Sequence, residues 1–419
     1  MSAQVTATIT SATPGNATIG NETIGSAAIG SETIGSETIG SETIGSETIG
    51  KAAARLGSPR TWLDADGHRE VTRRSLAFGI FLLAAHLALY GATLAIAVAD
   101  LRWWINLPAA VMNGLFIGLI FIIGHDTSHG AFVPGRRLNQ ILTRIAFIPC
   151  AHSASLWDLI HNRTHHQRTN LKGVDYAWVP TTKAEYEAMN PVRRWLERAY
   201  RGPFGPFLYY YIEFWFTRAV LPTASDSRLE WRKHVPDTLF VLTAFVLTLA
   251  GIAWMGTTLA PARSLWLTMT LGWFIPFSVW NYLISLTTYM QHTHPSVPWF
   301  NNEREWSLYD GNVRGTAQVD FLINVAPLWS WVMQHNAHHL ATGIPVYRLT
   351  DAQARLRQRF DLDMVRYQFS LSTYFSILRA CKLYDFERNC WTDFAGNPTG
   401  PALLRIARNG HPVASTESV

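Results

Sequence analysis

Charged side chains are scarce in this chain of 419 residues: Asp, Glu, Lys and Arg make up 16% of it, whereas an average domain contains about 25%. The deficit falls in long apolar runs, and 48% of the residues are hydrophobic. This composition excludes an ordinary soluble domain and indicates a protein of the lipid bilayer. The formal net charge is +5, but Lys and Arg are scattered and form no basic stripe, so we predict no nucleic-acid partner.

Cysteine is rare as well. The three cysteines, Cys150, Cys381 and Cys390, are an odd number without a CxxC spacing, so the sequence predicts neither a disulfide framework nor a thiolate metal site. No GxGxxG follows a strand-like run, and no haem-binding or flavin-binding segment is visible. A redox activity of this chain would therefore need a separate protein as its electron donor.

The first fifty residues differ from all that follow, because a five-residue repeat (NATIG, NETIG, SAAIG, then SETIG) extends to Gly50. Such a period matches neither helix nor strand, and one Ile per repeat cannot offset the backbone entropy of the repeated Gly. The segment has no Lys or Arg before Lys51, unlike a secretory signal or a transit peptide. We predict a disordered tail over residues 1–54, a membrane domain over 55–395 and a C-terminal tail over 396–419.

Four apolar runs are long enough to cross a bilayer, which takes about 20 helical residues. Short links join them in pairs, so they are expected to form two helical hairpins. The sequence thus predicts an all-α integral membrane protein with about four transmembrane helices. The runs cover residues 75–99, 105–124, 235–255 and 265–290.

Arginine is concentrated between the two hairpins, whereas the hairpin tips carry only Arg102 and Arg263. By the positive-inside rule, both chain ends and the central segment lie in the cytoplasm. Two weaker apolar segments, 141–157 and 204–221, are predicted to lie in the membrane interface, and the alternative is that they are additional spans. The central arginines are Arg136, Arg137, Arg193, Arg194, Arg198, Arg201, Arg228 and Arg232.

Histidine is clustered in three short motifs, each of which follows an apolar segment. On the predicted topology all three motifs meet at the cytoplasmic side of the membrane. HDTSH contains His125 and His129, HNRTHH contains His161, His165 and His166, and HNAHH contains His335, His338 and His339.

The spacings within the motifs suit metal ligation, because residues four apart on an α-helix share a face and residues three apart nearly do. His125 and His129 can thus address one ion. In the second motif, His161 and His165 are expected to share a face, with His166 displaced by about a quarter of a turn. The third motif repeats this pattern, so adjacent histidines can serve two metals.

The number of imidazoles separates the kinds of metal site. A structural zinc site takes about four ligands, whereas the three motifs supply eight histidines. Imidazole binds iron, copper, zinc and nickel alike, but zinc has no redox chemistry, and a pair of redox metals beside a lipid phase favours oxygen activation. Five isolated histidines are interpreted as structural residues: His68, His86, His152, His234 and His411.

A metal transporter is the alternative from another class of function. Its ligands would lie near the bilayer midplane in broken helices of an inverted repeat. The three motifs instead come after the apolar runs, which favours an enzyme.

The trio HDTSH, HNRTHH and HNAHH resembles the three histidine boxes of the membrane fatty acid desaturases, and the resemblance extends over roughly residues 55–380. The stretches QHTHPSVPW and HNAHHLATGIPVYRL further resemble acyl-lipid desaturases of the omega-6 and related bacterial type. The second box departs from the HxxHH often found in omega-6 enzymes by one additional residue. On an α-helix that residue would rotate the cluster by about 100° and put positional selectivity in doubt.

The resemblance implies a four-span protein of the bacterial inner membrane with a cytosolic histidine-box cap. It implies two Fe²⁺ ions, O₂ as co-substrate and a fatty acyl substrate from the bilayer, with no catalytic residue beyond the metal ligands. The electron donor would be a separate protein such as ferredoxin, which suits the basic cytoplasmic surface. One more ligand is implied at the end of the fourth span, where His292 is favoured and His294 is the alternative.

The outcome of the oxidation stays open between desaturation and hydroxylation, ketolation or decarboxylation, because these reactions diverge only after the first hydrogen is removed. The form of the third box favours desaturation. Two further sets of residues are ambiguous between function and packing. Asp126, Asp158 and Asn162 can orient imidazoles or cap helices, and Trp157, Trp280 and Tyr282 can shape the substrate tunnel or fill the core.

Overall fold

The computed structural model of the chain describes residues 62–221, 231–322 and 326–403. The pentad repeats, Arg228 and His411 lie outside these residues, as do the predicted domain start at residue 55 and most of the C-terminal tail. The described part is mostly helical, as predicted, but it also contains two small sheets that the all-α prediction lacked.

Helices account for most of the described chain, and several of them are wound as π-helices. The α-helices are α1 (Ala65–Val71), α2 (Leu76–Val98), α3 (Trp103–Ser128), α4 (Arg136–Phe147), α5 (Ala154–Trp157), α6 (Lys183–Ala188), α7 (Pro191–Tyr200), α8 (Gly205–Tyr209), α9 (Trp231–Leu259), α10 (Leu265–Met269), α11 (Ile275–His292), α12 (Pro327–Val332), α13 (His335–Leu340), α14 (Leu349–Phe360) and α15 (Leu371–Ala380). The π-helices are π1 (Asp158–His165), π2 (Tyr210–Val220), π3 (Thr270–Phe274) and π4 (Asp310–Arg314), and short 3₁₀ turns span Val346–Arg348 and Asp361–Asp363.

Among the described residues, three helical stretches are long and apolar enough to cross a membrane: Ala65–Val98, Trp103–Ser128 and Trp231–Leu259. They contain α2, α3 and α9 and agree with the first three predicted spans. The fourth predicted span, 265–290, is divided among α10, π3 and α11 and is not one of the three. The count of four spans therefore stays a prediction.

The loops predicted as the two hairpin tips lie against each other. The Asp100 N–H donates to the Leu259 carbonyl at 3.1 Å. The Arg263 guanidinium donates to the Val98 carbonyl at 3.1 Å and to Asn106 Oδ1 at 3.2 Å. These contacts join the α2–α3 link to the α9–α10 link, at the opposite end of α3 from His125.

The segment 141–157, predicted as one interfacial helix, is interrupted. It is divided between α4 and α5, with a turn between them. Pro149 has no N–H to continue the helical ladder, and Ala151 has φ of 50°, a left-handed value that α-helices do not contain. The segment 204–221 is helical through α8 and π2, and its position relative to a bilayer remains a prediction.

The two sheets belong to the region around the third histidine motif and the C-terminal part of the chain. Strand β1 (Ala317–Asp320) pairs in parallel with β2 (Val365–Gln368), and β3 (Leu383–Asp385) pairs antiparallel with β4 (Cys390–Thr392). The Val319 N–H also donates to the Met333 carbonyl at 3.3 Å, which fixes the chain just before α13. Beneath α13, one hydrophobic cluster joins side chains of α3, α11, α12 and α14, so the histidine-bearing segments pack on the ends of the long helices.

Candidate metal centre

The three histidine motifs and His292 meet at one place, although they are far apart in the chain. Their side chains form two groups, and within each group the potential ligand atoms all lie within 4.8 Å of one another. We call these the first group and the second group. The first group is His125, His129, His161, His166 and His338, and the second group is His165, His292, His335 and His339.

The end of α3 places the first two ligand candidates. His125 lies in the last turn of α3 and His129 is its C-cap. Because the two residues are four apart, their rings lie on one face, with ring centroids 5.0 Å apart. Gly130 follows with φ of 69°, a value that glycine adopts readily, and it turns the chain away from the metal centre.

The second motif is wound as the π-helix π1, and this winding changes which histidines meet. The His166 N–H donates to the His161 carbonyl, five residues back, at 3.1 Å. The wider turn brings His161 Nε2 and His166 Nε2 to 3.0 Å in the first group and directs His165 to the second group. His161 and His165 were predicted to share a face, and their rings do stack with centroids 5.3 Å apart, but their ring nitrogens belong to different groups.

The same π-turn accommodates the additional residue of HNRTHH. A π-turn closes an i to i+5 hydrogen bond, one residue longer than an α-turn. The extra residue is taken up within the turn, and the rotation by about 100° that an α-helix would impose does not arise. The departure from HxxHH therefore leaves the histidines converging.

The third motif serves both groups. In α13, His335 and His339 are four residues apart and belong to the second group, whereas His338 belongs to the first. Adjacent histidines at 165–166 and 338–339 thus divide between the groups, as the sequence predicted for a pair of metals.

The structure brings His292 to the centre and leaves His294 outside it. His292 ends α11, and its Nε2 lies 3.0 Å from His335 Nε2. His294 instead stacks on Tyr367, with ring centroids 5.2 Å apart, and its Nδ1 accepts the Ser296 N–H at 3.1 Å. His292 is therefore the better candidate for the additional ligand.

The distances between ring nitrogens fit a bound cation. His161 Nε2 lies 2.8 Å from His125 Nε2 and 3.0 Å from His166 Nε2, and His335 Nε2 lies 3.0 Å from both His292 Nε2 and His339 Nε2. A neutral imidazole has one N–H, so hydrogen bonds alone cannot satisfy three nitrogens that face one another. A cation bound among these rings would accept the lone pairs of the facing nitrogens and remove this conflict.

Buried ring nitrogens without hydrogen-bond partners also indicate a cation site. His338 is 1% exposed, and within the described chain neither of its ring nitrogens has a hydrogen-bond partner. His129 Nε2 is buried and unpartnered in the same sense. Burying such groups costs about 1–3 kcal/mol each, a cost that coordination of a metal ion would remove.

Burial also keeps these rings in the form that ligates metals. Desolvation, reinforced by the neighbouring imidazoles, lowers their pKa values well below the usual value, so the rings are neutral at pH 7. This holds for the pKa values of His129, His161, His166, His335, His338 and His339.

Two of the rings are oriented by hydrogen bonds from Nδ1. His165 Nδ1 lies 2.8 Å from Asp175 Oδ1, and His339 Nδ1 lies 3.0 Å from Thr169 Oγ1 and 3.2 Å from Asn312 Oδ1. With Nδ1–H donating, Nε2 of each ring presents its lone pair to the second group. Asp175, Thr169 and Asn312 were not singled out from the sequence, because no motif connects them to the boxes.

The orienting residues suggested from the sequence contact other partners. Asp126 Oδ2 accepts the Val346 N–H at 3.0 Å and so holds the loop after α13. Asp158 accepts hydrogen bonds from Asn162 and Arg163, and Asn162 donates to the Ser128 carbonyl at 3.0 Å. These side chains brace the ends of α3 and π1.

The isolated histidines differ in their surroundings. His86 Nδ1 lies 2.7 Å from the Leu82 carbonyl, and the two ring nitrogens of His152 contact Cys150 O and Tyr210 Oη. His234 is buried in α9, and its ring nitrogens have no partner among the described residues. None of these three belongs to either histidine group.

An apolar cavity runs from the metal centre between α3 and α11. The space within it that is open to the centre of a water-sized sphere is ≈ 80 Å³. At one end it contacts histidines of both groups, among them His125, His161 and His335, and it extends along α3 to Gly118 and Leu115. About ten residues of helix separate Leu115 from His125, which corresponds to roughly 15 Å.

Of the aromatic residues proposed for a tunnel, Trp157 lies at the cavity. Its ring stacks on His161, with centroids 4.4 Å apart and an angle of 24° between the planes. Trp280 is fully buried and packs on Phe121 and Phe277, outside the cavity lining. Tyr282 also lies outside the lining.

Comparison with known proteins identifies relatives. The family model described as "Fatty acid desaturase" matches residues 101–370. The chain is 27% identical over 310 residues to an sn-1 oleoyl-lipid 12-desaturase from Picosynechococcus sp., covering 72% of this chain and 83% of that protein. It is 27% identical over 292 residues to a chloroplastic omega-6 fatty acid desaturase from Glycine max, covering 68% of this chain and 64% of that protein.

A third relative carries the name of an electron carrier. The sn-1 acyl-lipid omega-3 desaturase (ferredoxin) from Nostoc sp. is 26% identical over 263 residues, covering 61% of this chain and 68% of that protein. The family match spans most of the chain, including every member of both histidine groups. The chain, an oxidoreductase with long apolar helices typical of a membrane protein, therefore belongs to the fatty acid desaturase family.

Proposed function

We propose that this chain is a di-iron acyl-lipid desaturase that converts a –CH₂–CH₂– pair of a fatty acyl chain into –CH=CH–. O₂ is the oxidant and two electrons come from an external donor. With two protons from solvent, the two hydrogens lost by the acyl chain end in two molecules of water, so atoms and charge balance.

One observation carries the proposal: the apolar cavity ends against histidines of both groups. An acyl chain in this cavity would have its methylenes beside both candidate metal positions. Two iron ions held by the nine histidines would supply the oxygen activation needed to remove hydrogen from an unactivated methylene. The donor set is compatible with this assignment, because imidazole binds iron.

The cavity suits a hydrocarbon, because most of its lining is apolar. Two of its polar side chains bond within the protein. Thr287 Oγ1 donates to the Leu283 carbonyl at 2.8 Å and accepts from Trp329 Nε1 at 2.9 Å. Gln291 Nε2 donates to the Val332 carbonyl at 3.0 Å. The wall therefore offers few groups that would hold water beside the reacting carbons, and it positions the chain by shape.

The placement in the membrane is part of the proposal. The contact between the two predicted hairpin tips, at the far end of α3 from His125, supports two hairpins with the metal centre on one side. The arginine distribution favours the cytoplasm for that side. A ferredoxin-type donor and an acyl lipid as substrate are supported by the names of the relatives.

The test is expression in a host that makes only saturated and monounsaturated fatty acids, with mass spectrometry of the fatty acid methyl esters. The matched variants are His338→Ala, which removes a first-group ring, and His294→Ala, which removes a nearby ring outside both groups. We expect new double bonds with the native chain and with His294→Ala, and loss of at least about 99% of them with His338→Ala, because each group acts as a unit.

If hydroxylated or shortened products form instead and depend on His338, the assigned reaction becomes a related oxidation and not desaturation. Double bonds that persist in His338→Ala would contradict the assignment of the metal centre.

A further inference from the structure

Two solvent-facing depressions reach the metal centre at histidines that do not line the apolar cavity. The first contacts His129, and the second contacts His166 and His339. The apolar cavity contacts five other histidines, so it shares no histidine with the depressions. The two depressions share Asn162, Gln167 and Thr342 in their linings and thus adjoin each other.

The lining of the depressions is strongly basic. It contains five arginines and two carboxylates, and both carboxylates pair with arginines of the set. Glu303, outside the lining, pairs with Arg168 at 3.5 Å, and the lining keeps an excess of positive charge. Such a surface attracts an acidic partner and orients it during encounter. The arginines are Arg74, Arg136, Arg144, Arg163 and Arg168, and the carboxylates are Asp158 and Asp237.

A hydrogen-bonded connection leads from the second depression to the second histidine group. The Arg168 guanidinium lies over the ring of Trp306, 5.3 Å from its centroid. Trp306 Nε1 donates to the Thr169 carbonyl at 2.8 Å, and Thr169 Oγ1 lies 3.0 Å from His339 Nδ1. Thr169 thus connects the Trp306 indole to His339, a candidate metal ligand.

Gly311 makes this approach possible. A Cβ atom at position 311 would lie 2.7 Å from Trp306 Nε1, closer than Cβ atoms pack, and 3.0 Å from the Thr169 carbonyl oxygen, a tight contact. The absence of a side chain at this position permits the contact between the indole and Thr169.

We infer that the basic depressions are the docking surface for an acidic one-electron carrier and that electrons enter through Trp306, Thr169 and His339. The inference rests on the proposed function, which requires two external electrons per double bond. Two successive encounters with a reduced carrier supply them, and each carrier leaves oxidised by one electron. The electron path and the acyl chain thereby approach the metal centre from different sides.

The first test measures the Kd of an oxidised, acidic [2Fe–2S] ferredoxin for the purified full chain, at low and high salt and without turnover. Arg136 and Arg168 are both solvent-accessible members of the surface. We expect the double variant Arg136→Glu, Arg168→Glu to raise Kd at least about tenfold at low salt, with the effect shrinking as salt increases.

The control is Arg379→Glu with Arg388→Glu, which changes net charge equally at exposed residues that line neither depression. Equal Kd values for the two double variants would overturn the inference. If Arg136→Glu, Arg168→Glu loses bound anionic lipid and keeps ferredoxin affinity, the surface binds lipid headgroups and the inference is likewise overturned. Should that variant fail to fold, Arg136→Glu alone makes the same comparison with Arg379→Glu.

The second test uses Trp306→Phe, which keeps an aromatic ring and removes the Nε1 donor. We expect the ferredoxin Kd and the iron content to stay unchanged. The bound iron should be reduced more slowly by ferredoxin and at an unchanged rate by dithionite, a small reductant that needs no docking surface. Unchanged reduction by ferredoxin would exclude Trp306 from the path. Because Kd and reduction are measured without product formation, they fail independently of the desaturation assay.

Discussion

The ring of His165 is held by a buried carboxylate. Asp175 Oδ1 accepts from His165 Nδ1, and its other oxygen accepts the Asn170 N–H at 2.7 Å, so the carboxylate is itself fixed. A negative charge behind a ligating imidazole raises its basicity and sets its orientation.

We expect Asp175→Asn to weaken metal binding about 10–100-fold, because the amide retains the size of the side chain and loses its charge. The measurement is iron content against free iron concentration, by elemental analysis of the purified protein. Asp237→Asn is the matched control, since Asp237 pairs with Arg144 and bonds to no histidine of either group. Equal iron binding by the two variants would remove Asp175 from the metal centre.

The sequence predicted the candidate ligand histidines better than the residues that orient their rings. The eight box histidines and His292 follow from motif spacing and family resemblance, and all nine lie in the two groups. Asp175, Thr169 and Asn312 lie in loops and in π4, where their side chains meet the rings only through the tertiary fold. Their positions depend on contacts such as Thr169 Oγ1 to Asn312 Oδ1, which spans 143 residues of sequence.

Among the secondary-structure elements, π1 determines which histidines of the second box lie close together. Its wide turn places His161 beside His166, and Thr164 Oγ1 bonds to the Leu159 carbonyl, also five residues back, at 2.8 Å. Arg163 lies within π1 with its side chain 66% exposed.

We expect deletion of Arg163 to be tolerated, because an α-turn with HxxHH spacing would again bring the outer histidines together. Deletion of Ala337, inside the α-helical third box, should rotate His338 and His339 by about 100° and abolish iron binding. Iron stoichiometry and thermal melting of the two purified variants give the comparison. Loss of iron from the Arg163 deletion, with the fold retained, would contradict this account of π1.

The sequence predicted the long elements well and the irregular ones poorly. Three predicted spans agree with α2, α3 and α9, since apolar length is a local property of the sequence. The π-helices were not predicted, because an i to i+5 winding depends on tertiary packing and leaves no periodic signal in the sequence. The break at Pro149 was readable in principle, as proline cannot donate to a helical ladder.

For the molecule as a whole, the arrangement of spans predicts which surfaces face the two sides of the membrane. Leu101 lies in the link between α2 and α3 and is 44% exposed, and Arg136 is exposed beside the histidine centre. The native cysteines Cys150, Cys381 and Cys390 are buried, so introduced thiols can be labelled over a low background.

With a membrane-impermeant maleimide on intact bacterial cells, we expect labelling of Leu101→Cys and protection of Arg136→Cys until the cells are lysed. The opposite result would reverse the orientation of the protein. Labelling of both positions in intact cells would contradict the two-hairpin arrangement.

Metal ions held by the nine histidines would also cross-link the fold. They come from α3, π1, the end of α11 and α13, so the residues joined at the centre extend from position 125 to position 339. Ions that bind only the folded chain lower its free energy, by about 1.4 kcal/mol per ion for each tenfold rise in free iron above Kd. Iron supply would then control the lifetime of this protein in the membrane as well as its activity.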